Sequence, residues 1–151
     1  MKGMKLPGLA KPPRVFVDAK ILNMHDPFLP KETYVGYVVE GKRKHNVRKV
    51  EANESDDAEV LAIMFAIEEL KDSFGRFTVV CDHESVVSEA KRDSVKKPSD
   101  LLKSLREMLR ANPKIRLEAL LSNPAHQVVT EYVNGLKTGT PWPIAGTVPD
   151  P

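Results

Sequence analysis

A long helical segment, DDAEVLAIMFAIEELKDSF at residues 56–74, interrupts a chain whose earlier part is mainly strand-like. Ser55 or Asp56 is predicted to cap this helix, and Gly75 to close it. Before it come a short apolar strand at residues 15–18 and two strand-like stretches, TYVGYVVEG and KHNVRKVEA, which flank a basic turn. This pattern predicts a sheet that begins with antiparallel strands.

Strands and helices alternate after the long helix. The stretch FTVVC at residues 77–81 predicts a buried strand, and KIRLEALLS at residues 114–122 predicts another. Helices are predicted at residues 85–92, 99–111 and 124–136. The order βββαβααβα predicts an α/β fold with a five-stranded mixed sheet, in which the later strands join in parallel and helices cover both faces.

The two ends of the chain differ from this central part. Residues 1–14 form a basic, proline-containing leader, residues 15–136 the predicted domain, and residues 137–151 a proline-rich tail.

A chain of 151 residues is expected to form one domain. The net charge of +2 argues neither for nor against nucleic acid, and the single cysteine, Cys81, excludes an internal disulfide. Because no long apolar run occurs, we expect a soluble, cytoplasmic protein. We also expect a monomer.

Three acids occupy positions where burial is expected. Asp18 and Asp82 lie at the C-terminal ends of the first and fourth predicted strands, and Glu59 heads the apolar stripe of the long helix. Burying an unpaired carboxylate is unfavourable, so each such position needs a partner. If the first and fourth strands are neighbours, the three acids converge with no lysine or arginine among them. Crowded carboxylates are resolved by a divalent cation, and oxygen ligands favour Mg²⁺ or Mn²⁺.

Each acid taken alone has an ordinary interpretation. An aspartate at a strand end is common in a solvated turn, and Glu59 is favoured near the helix N-terminus by the helix dipole. The three acids together, in this element order, favour the hypothesis of a metal site.

The stretches VFVDAK, SDDAEVLAIMFAIEEL and TVVCDHESVV carry a resemblance to the ribonuclease H fold. This resemblance covers about residues 15–136. It implies that Asp18, Glu59 and Asp82 correspond to three of the four metal-binding acids of the family. It further implies two Mg²⁺ or Mn²⁺ ions as cofactors and the RNA strand of an RNA–DNA hybrid as the substrate. In such enzymes one ion activates a water and the other stabilises the leaving oxygen.

The fourth acid of the family does not fall in register. Val129, Tyr132 and Val133 are the predicted inward-facing residues of the last helix, which places Thr130 at the fourth position. Glu131 comes one residue later, rotated by about 100° around the helix. Glu131 is therefore the fourth catalytic candidate only if its longer side chain reaches inward.

Other positions also depart from the family pattern. Ala19 follows the first aspartate where glycine is usual, and Ser55, Asp56 and Asp57 replace the asparagines that usually contact the hybrid. The histidine expected after the fifth strand has no counterpart in that loop, which offers only Asn123. The four histidines lack ligand spacing and are predicted to be surface or capping residues: His25, His45, His83 and His126. Cys81 is predicted to be a small core residue.

Basic residues follow the fourth strand, in the stretch AKRDSVKK. The resemblance implies that this connection contacts the phosphates of the DNA strand, and the candidates are Lys91, Arg92, Lys96 and Lys97. The ordinary alternative is a solvated turn.

Two functions of different classes remain open. The first is a metal-dependent endonuclease that hydrolyses RNA in RNA–DNA hybrids by a two-metal mechanism. The second is a non-catalytic ribonuclease H-fold module that binds nucleic acid or protein. A DNA-acting relative, such as a resolvase or transposase core, is a weaker third hypothesis.

Overall fold

The secondary structure follows the predicted order in the computed structural model, which describes residues 12–23, 25–41, 44–52, 54–91, 99–120 and 124–138. In chain order the elements are β1 (Arg14–Leu22), β2 (Glu32–Val39), β3 (His45–Val50), α1 (Ser55–Leu70), β4 (Phe77–Cys81), α2 (Glu84–Lys91), α3 (Asp100–Ala111), β5 (Ile115–Ala119) and α4 (Ala125–Thr138). The predicted order and the five-stranded mixed sheet are confirmed. Within these ranges, no helix is long and apolar enough to span a membrane.

Strand β1 lies at the centre of the sheet, whose strand order is β3–β2–β1–β4–β5. It pairs with β2 in antiparallel orientation as far as Leu22. It pairs with β4 in parallel orientation only from Arg14 to Val17, where Val17 faces Cys81. Strand β1 therefore loses its β4 neighbour directly before Asp18. Side chains that follow this point can approach the residues that follow β4.

The two faces of the sheet carry separate hydrophobic cores, because successive side chains of a strand point to opposite faces. One face buries Val17 and Val79 beneath α1, α2 and α3. The other buries Phe16 and Val80 beneath α4. By the same alternation Asp18 lies on the α4 face, whereas the glutamate of α1 approaches from the other face. The candidate acids thus meet at the end of the sheet from opposite sides.

Helix α4 approaches strand β2 closely at Gly36. A Cβ atom at this position would lie 2.6 Å from Val129 Cγ2 and 3.1 Å from the backbone oxygen of Asn46. Real Cβ atoms essentially never make contacts under 3.0 Å, so any side chain here would displace its neighbours. Gly36 pairs with Asp18 across the β1–β2 ladder. The close approach therefore fixes the height of α4 above the sheet next to Asp18.

Strand β1 is longer than predicted. It continues past Asp18 to Leu22, because β2 goes on pairing with it as far as Glu32. Asp18 therefore lies inside a strand, and the prediction that it ends the strand was wrong. The end of the β4 pairing, rather than the end of β1, makes room beside it.

The ends of helix α1 also differ from the prediction. Glu54 is the N-cap and makes no side-chain capping hydrogen bond, so neither Ser55 nor Asp56 has the predicted role. The helix ends at Leu70, before Gly75. By contrast, Ser99 caps α3, because its side chain accepts a hydrogen bond from the backbone N–H of Leu102.

The predicted leader and tail lie largely outside the described residues. Strand β1 begins at Arg14, the last residue of the predicted leader, and α4 continues to Thr138, within the predicted tail. Residues 1–11 and 139–151 are not among those described.

Candidate functional site

Two of the candidate acids lie at equivalent positions beside neighbouring strands. Val17 pairs with Cys81 in the parallel β1–β4 ladder. Asp18 directly follows Val17, and Asp82 directly follows Cys81, so the two acids come next after the last pair of the ladder. Asp18 is 3% exposed, and Asp82 is half-buried. The first and fourth strands are therefore neighbours, as the sequence analysis required for the acids to converge.

The third acid, Glu59, reaches the same place from helix α1. It is 7% exposed, and its Oε2 accepts a hydrogen bond from Cys81 Sγ at 3.4 Å. Ligand atoms of Glu59, Cys81 and Asp82 lie within 4.8 Å of one another. Asp18 lies outside this tight group, but its charge acts on Glu59. The charges of Asp18 and Asp82 are thus close enough to Glu59 to affect its protonation.

Burial and mutual repulsion raise the pKa of two of these acids. Burial raises the pKa of Glu59 to about 8, and the charges of Asp18 and Asp82 contribute to the increase. Burial also raises the pKa of Asp18; a hydrogen bond with His126 opposes this, and the charge of Asp82 adds to it. Within the described ranges, none of the three acids forms a salt bridge with a lysine or arginine. No described lysine or arginine therefore neutralises their negative charge, and His126 is the one basic side chain in the described ranges that contacts Asp18.

Cys81 combines a core position with a contact to the acids. It is fully buried in the core beneath α1, in agreement with its prediction as a core residue. Burial raises the pKa of its thiol, and the charge of Glu59 contributes. The thiol therefore stays protonated at neutral pH and is a poor ligand for Mg²⁺, which prefers oxygen. Its role in this structure is to donate a hydrogen bond that orients Glu59.

His126, in the first turn of α4, is the residue that the sequence analysis missed. Its Nδ1 lies 2.8 Å from Asp18 Oδ2. The histidine side chain is 69% exposed, whereas that of Asp18 is 5% exposed. His126 therefore closes the solvent side of the Asp18 carboxylate. The sequence did contain a signal for this position: His126 precedes Thr130 by four residues, so the two side chains share one face of the helix.

Thr130 and Glu131, which are adjacent in α4, have different surroundings. The hydroxyl oxygen of Thr130 is buried and has no hydrogen-bond partner. Glu131 Oε1 instead accepts a hydrogen bond from Gln127 Nε2 at 3.2 Å, in an exposed pair on the helix surface. The catalytic role of Glu131 stays a prediction, and its described contact draws it toward solvent.

A further contact links the segment after β4 to helix α1. His83 Nε2 lies 3.1 Å from Asp56 Oδ1, and Ser85 Oγ lies 3.1 Å from His83 Nδ1. His83 directly follows Asp82, and Asp56 lies in the first turn of the helix that carries Glu59. This contact holds the two acids' segments together.

The predicted phosphate-binding residues are described only in part. Lys91 is the last residue of α2 and is exposed. Arg92, Lys96 and Lys97 lie outside the described residues, as does Asn123. Phosphate contact at this connection therefore stays a prediction.

Comparisons with known proteins agree with the fold. No protein-family model matches the chain, and no curated protein matches it. Among solved structures, it is similar to the Prototype Foamy Virus protease-reverse transcriptase, with 18% identity and a TM-score of 0.60. That match covers 95% of this chain but only 22% of the viral protein.

Two further structures extend this similarity. The PFV RNase H domain has 18% identity and a TM-score of 0.59, over 85% of this chain and 93% of that domain. A foamy viral protease-reverse transcriptase in complex with dsDNA has 14% identity and a TM-score of 0.63, over 93% of this chain and 100% of the matched chain. These identities are low, so the similarity concerns the fold. The chain forms a domain with the ribonuclease H-like fold, as its sequence predicts.

Proposed function

We propose that this protein is a divalent-metal-dependent endonuclease that hydrolyses the RNA strand of RNA–DNA hybrids. The observation that carries the proposal is the cluster of Asp18, Glu59 and Asp82, in which burial and neighbouring negative charge raise the pKa of Glu59 to about 8. A fold has no structural need to bury acids that repel one another, and doing so reduces its stability. Such clusters are characteristic of functional sites.

The donor set of the cluster fits Mg²⁺ or Mn²⁺. Asp18, Glu59 and Asp82 supply hard carboxylate oxygens from β1, from α1 and from the segment after β4, and no described lysine or arginine forms a salt bridge with them. These three residues would hold the two ions. When bound, such ions activate a water for in-line attack on a phosphate and stabilise the leaving oxygen.

The neighbouring residues orient these ligands. Cys81 holds Glu59 by its hydrogen bond, and His126 holds Asp18. Glu59 must lose its proton before it can act as a ligand, because its pKa lies near 8 in the protein without metal. Four basic side chains would bind the phosphates of the DNA strand: Lys91, Arg92, Lys96 and Lys97. The resemblance to a viral RNase H domain and to a viral protein in complex with dsDNA supports a nucleic-acid substrate.

Cleavage of a labelled RNA–DNA hybrid tests this proposal. The full chain should cut the RNA strand in Mn²⁺ or Mg²⁺, leave the DNA strand intact, and become inactive when EDTA is added. Duplex DNA of the same sequence is the matched control. Absence of cleavage in both metals, with a folded protein, would exclude the nuclease function.

Introducing an acid at position 130 is expected to raise this activity. Thr130 Oγ1 is buried without a partner, one helical turn after His126. Thr130→Asp should strengthen the second metal site and raise cleavage by roughly 10²-fold, since a ligand of this kind is worth a few kcal/mol in the transition state. Without metal the same variant should melt at a lower temperature, because it adds a carboxylate to the cluster.

The isosteric variant Thr130→Val is the control for this experiment. It removes the unpaired hydroxyl without adding charge, so it should leave cleavage unchanged. If Glu131 already supplies the fourth ligand, Glu131→Gln will abolish cleavage and Thr130→Asp will change little. That result would transfer the fourth position to Glu131.

The second candidate function is a non-catalytic module that binds nucleic acid. One observation favours it: a neutral, unpaired hydroxyl lies at Thr130, where the ribonuclease H family has its fourth acid. This candidate predicts that the wild-type protein binds a hybrid but does not cut it in Mn²⁺. It also predicts that Thr130→Asp fails to restore cleavage.

A further inference from the structure

A second site lies beside strand β5, at the edge of the sheet. There a cavity of about 400 Å³ opens between α2, α3 and β5. Its lining includes four basic side chains, one acid, and apolar side chains from α3 and β5; the charged residues are Lys91, Arg106, Arg110, Arg116 and Glu118. None of the three candidate metal-binding acids lines it. The cavity is therefore separate from the candidate active site.

Arg106 is the unusual residue of this cavity. It is 8% exposed and is the only buried basic residue in the described part of the chain. Its Nε and Nη2 donate hydrogen bonds to the backbone oxygen of Glu89, at 3.3 and 2.7 Å. Within the described ranges it forms no salt bridge. A carbonyl group satisfies hydrogen bonds but does not neutralise a charge, so a buried guanidinium in this state is destabilising unless an anion joins it.

The acid that also lines the cavity does not supply that anion. Glu118 is exposed, and its charge acts on Arg14, on the far side of β4. Because side chains alternate along a strand, Arg116 and Glu118 both point to the opposite face from Leu117, which is buried beneath the α1-side helices. The interior of the cavity therefore has positive charge and apolar walls.

We propose that this cavity binds a small organic anion. Its oxyanion group, a phosphate or a carboxylate, contacts Arg106 in the interior and the exposed Lys91. Its apolar body packs against Leu109, Ile115 and Leu117. The volume is within the usual range for small-molecule sites, and a few charged groups in an apolar cavity are typical of them. This inference does not depend on the proposed nuclease activity.

Binding of three simple probes to the full chain tests the proposal. Phenyl phosphate has both an oxyanion and an apolar body, inorganic phosphate has only the first, and benzoate carries a carboxylate in place of the phosphate. At constant ionic strength, phenyl phosphate should raise the melting temperature and bind about tenfold more tightly than inorganic phosphate, because its ring buries apolar surface. The comparison of phenyl phosphate with benzoate identifies the preferred oxyanion.

Three variants assign the binding to this cavity. Arg106→Gln should lower the affinity for phenyl phosphate by about tenfold or more, as expected for loss of a charged hydrogen bond. Lys91→Ala, an exposed change that leaves the core intact, should lower it by a smaller factor. Lys103→Ala removes an equal charge from the exposed side of α3 and should change nothing.

Two outcomes would overturn the proposal. The first is that phenyl phosphate does not bind, or binds equally to the wild type and to Lys91→Ala. The second is that Arg106→Gln and Lys91→Ala weaken binding of a nucleic-acid duplex, whereas phenyl phosphate does not bind at all. In that case the cavity surface would belong to a duplex-binding site. If Arg106→Gln does not fold, the comparison of Lys91→Ala with Lys103→Ala decides alone.

Discussion

Replacing Asp18 with asparagine is expected to lower cleavage of an RNA–DNA hybrid by roughly 10³-fold or more, since it removes a charged ligand from the proposed metal site. Asparagine has nearly the same shape, and its Oδ1 can still accept a hydrogen bond from His126. The loss should therefore come from the missing charge rather than from misfolding. Melting curves should agree: Mn²⁺ at millimolar concentration should stabilise the wild type, because it binds only the folded state, and should stabilise the variant much less.

Asp72→Asn is a suitable control for this experiment. Asp72 is an exposed acid just after α1, and its replacement also removes one negative charge. It should keep both cleavage and the response to Mn²⁺. If Asp18→Asn retained the full Mn²⁺ stabilisation, the three acids would not form a metal site, and the structural basis of the proposed function would be lost.

Replacing Glu59 with glutamine is expected to change how the stability of the protein without metal depends on pH. The pKa of Glu59 is about 8 in the folded protein, against an ordinary value of 4.5. The folded state therefore holds the proton more tightly than the unfolded state. The free energy of unfolding should fall as pH rises from 4.5 to 8, and level off above 8. The slope approaches about 1.4 kcal/mol per pH unit inside that window, so the total loss amounts to several kcal/mol.

Glutamine resembles the protonated acid and cannot ionise. Glu59→Gln should therefore match the wild type near pH 4.5 and become progressively more stable than it as pH rises, as measured by urea unfolding in EDTA. Glu68→Gln, an exposed change on the same helix, should follow the wild type at every pH. A constant difference in the free energy of unfolding between Glu59→Gln and the wild type across this range would contradict the prediction. It would mean that Glu59 is already ionised in the folded protein near pH 4.5, so that folding does not raise its pKa.

The sequence was sufficient to predict the architecture and the positions of the acids along it. Alternation of strands and helices after α1 predicts that the later strands join in parallel, and the structure shows β4 beside β1, which the sequence analysis had only assumed as a condition. Glu59 could be oriented because its spacing from Ala62 and Ile63 is a local property of a helix. Its burial is in accord with that reasoning. Local periodicity and the limited number of sheet topologies account for these successes.

Contacts between distant segments could not be predicted in the same way. His126 meets Asp18 across 108 residues of sequence, and this contact depends on how α4 is rotated and how closely it approaches the sheet. The continuation of β1 to Leu22 likewise depends on pairing with β2 rather than on the residues of β1 alone. The cap of α1 was missed because Ser55, a good capping residue, already lies within the helix.

The close approach at Gly36 has a consequence for how substitutions in this protein are interpreted. Gly36 has no side chain and contributes no ligand, yet it faces Asp18 in the ladder and lies beneath Val129 of α4. Helix α4 also carries His126 and Thr130, so a larger residue at position 36 would shift both relative to Asp18. A mutational scan scored by the proposed activity would then rank Gly36 with the candidate metal-binding acids. A scan that also measured the position of α4 would show that its effect is purely steric.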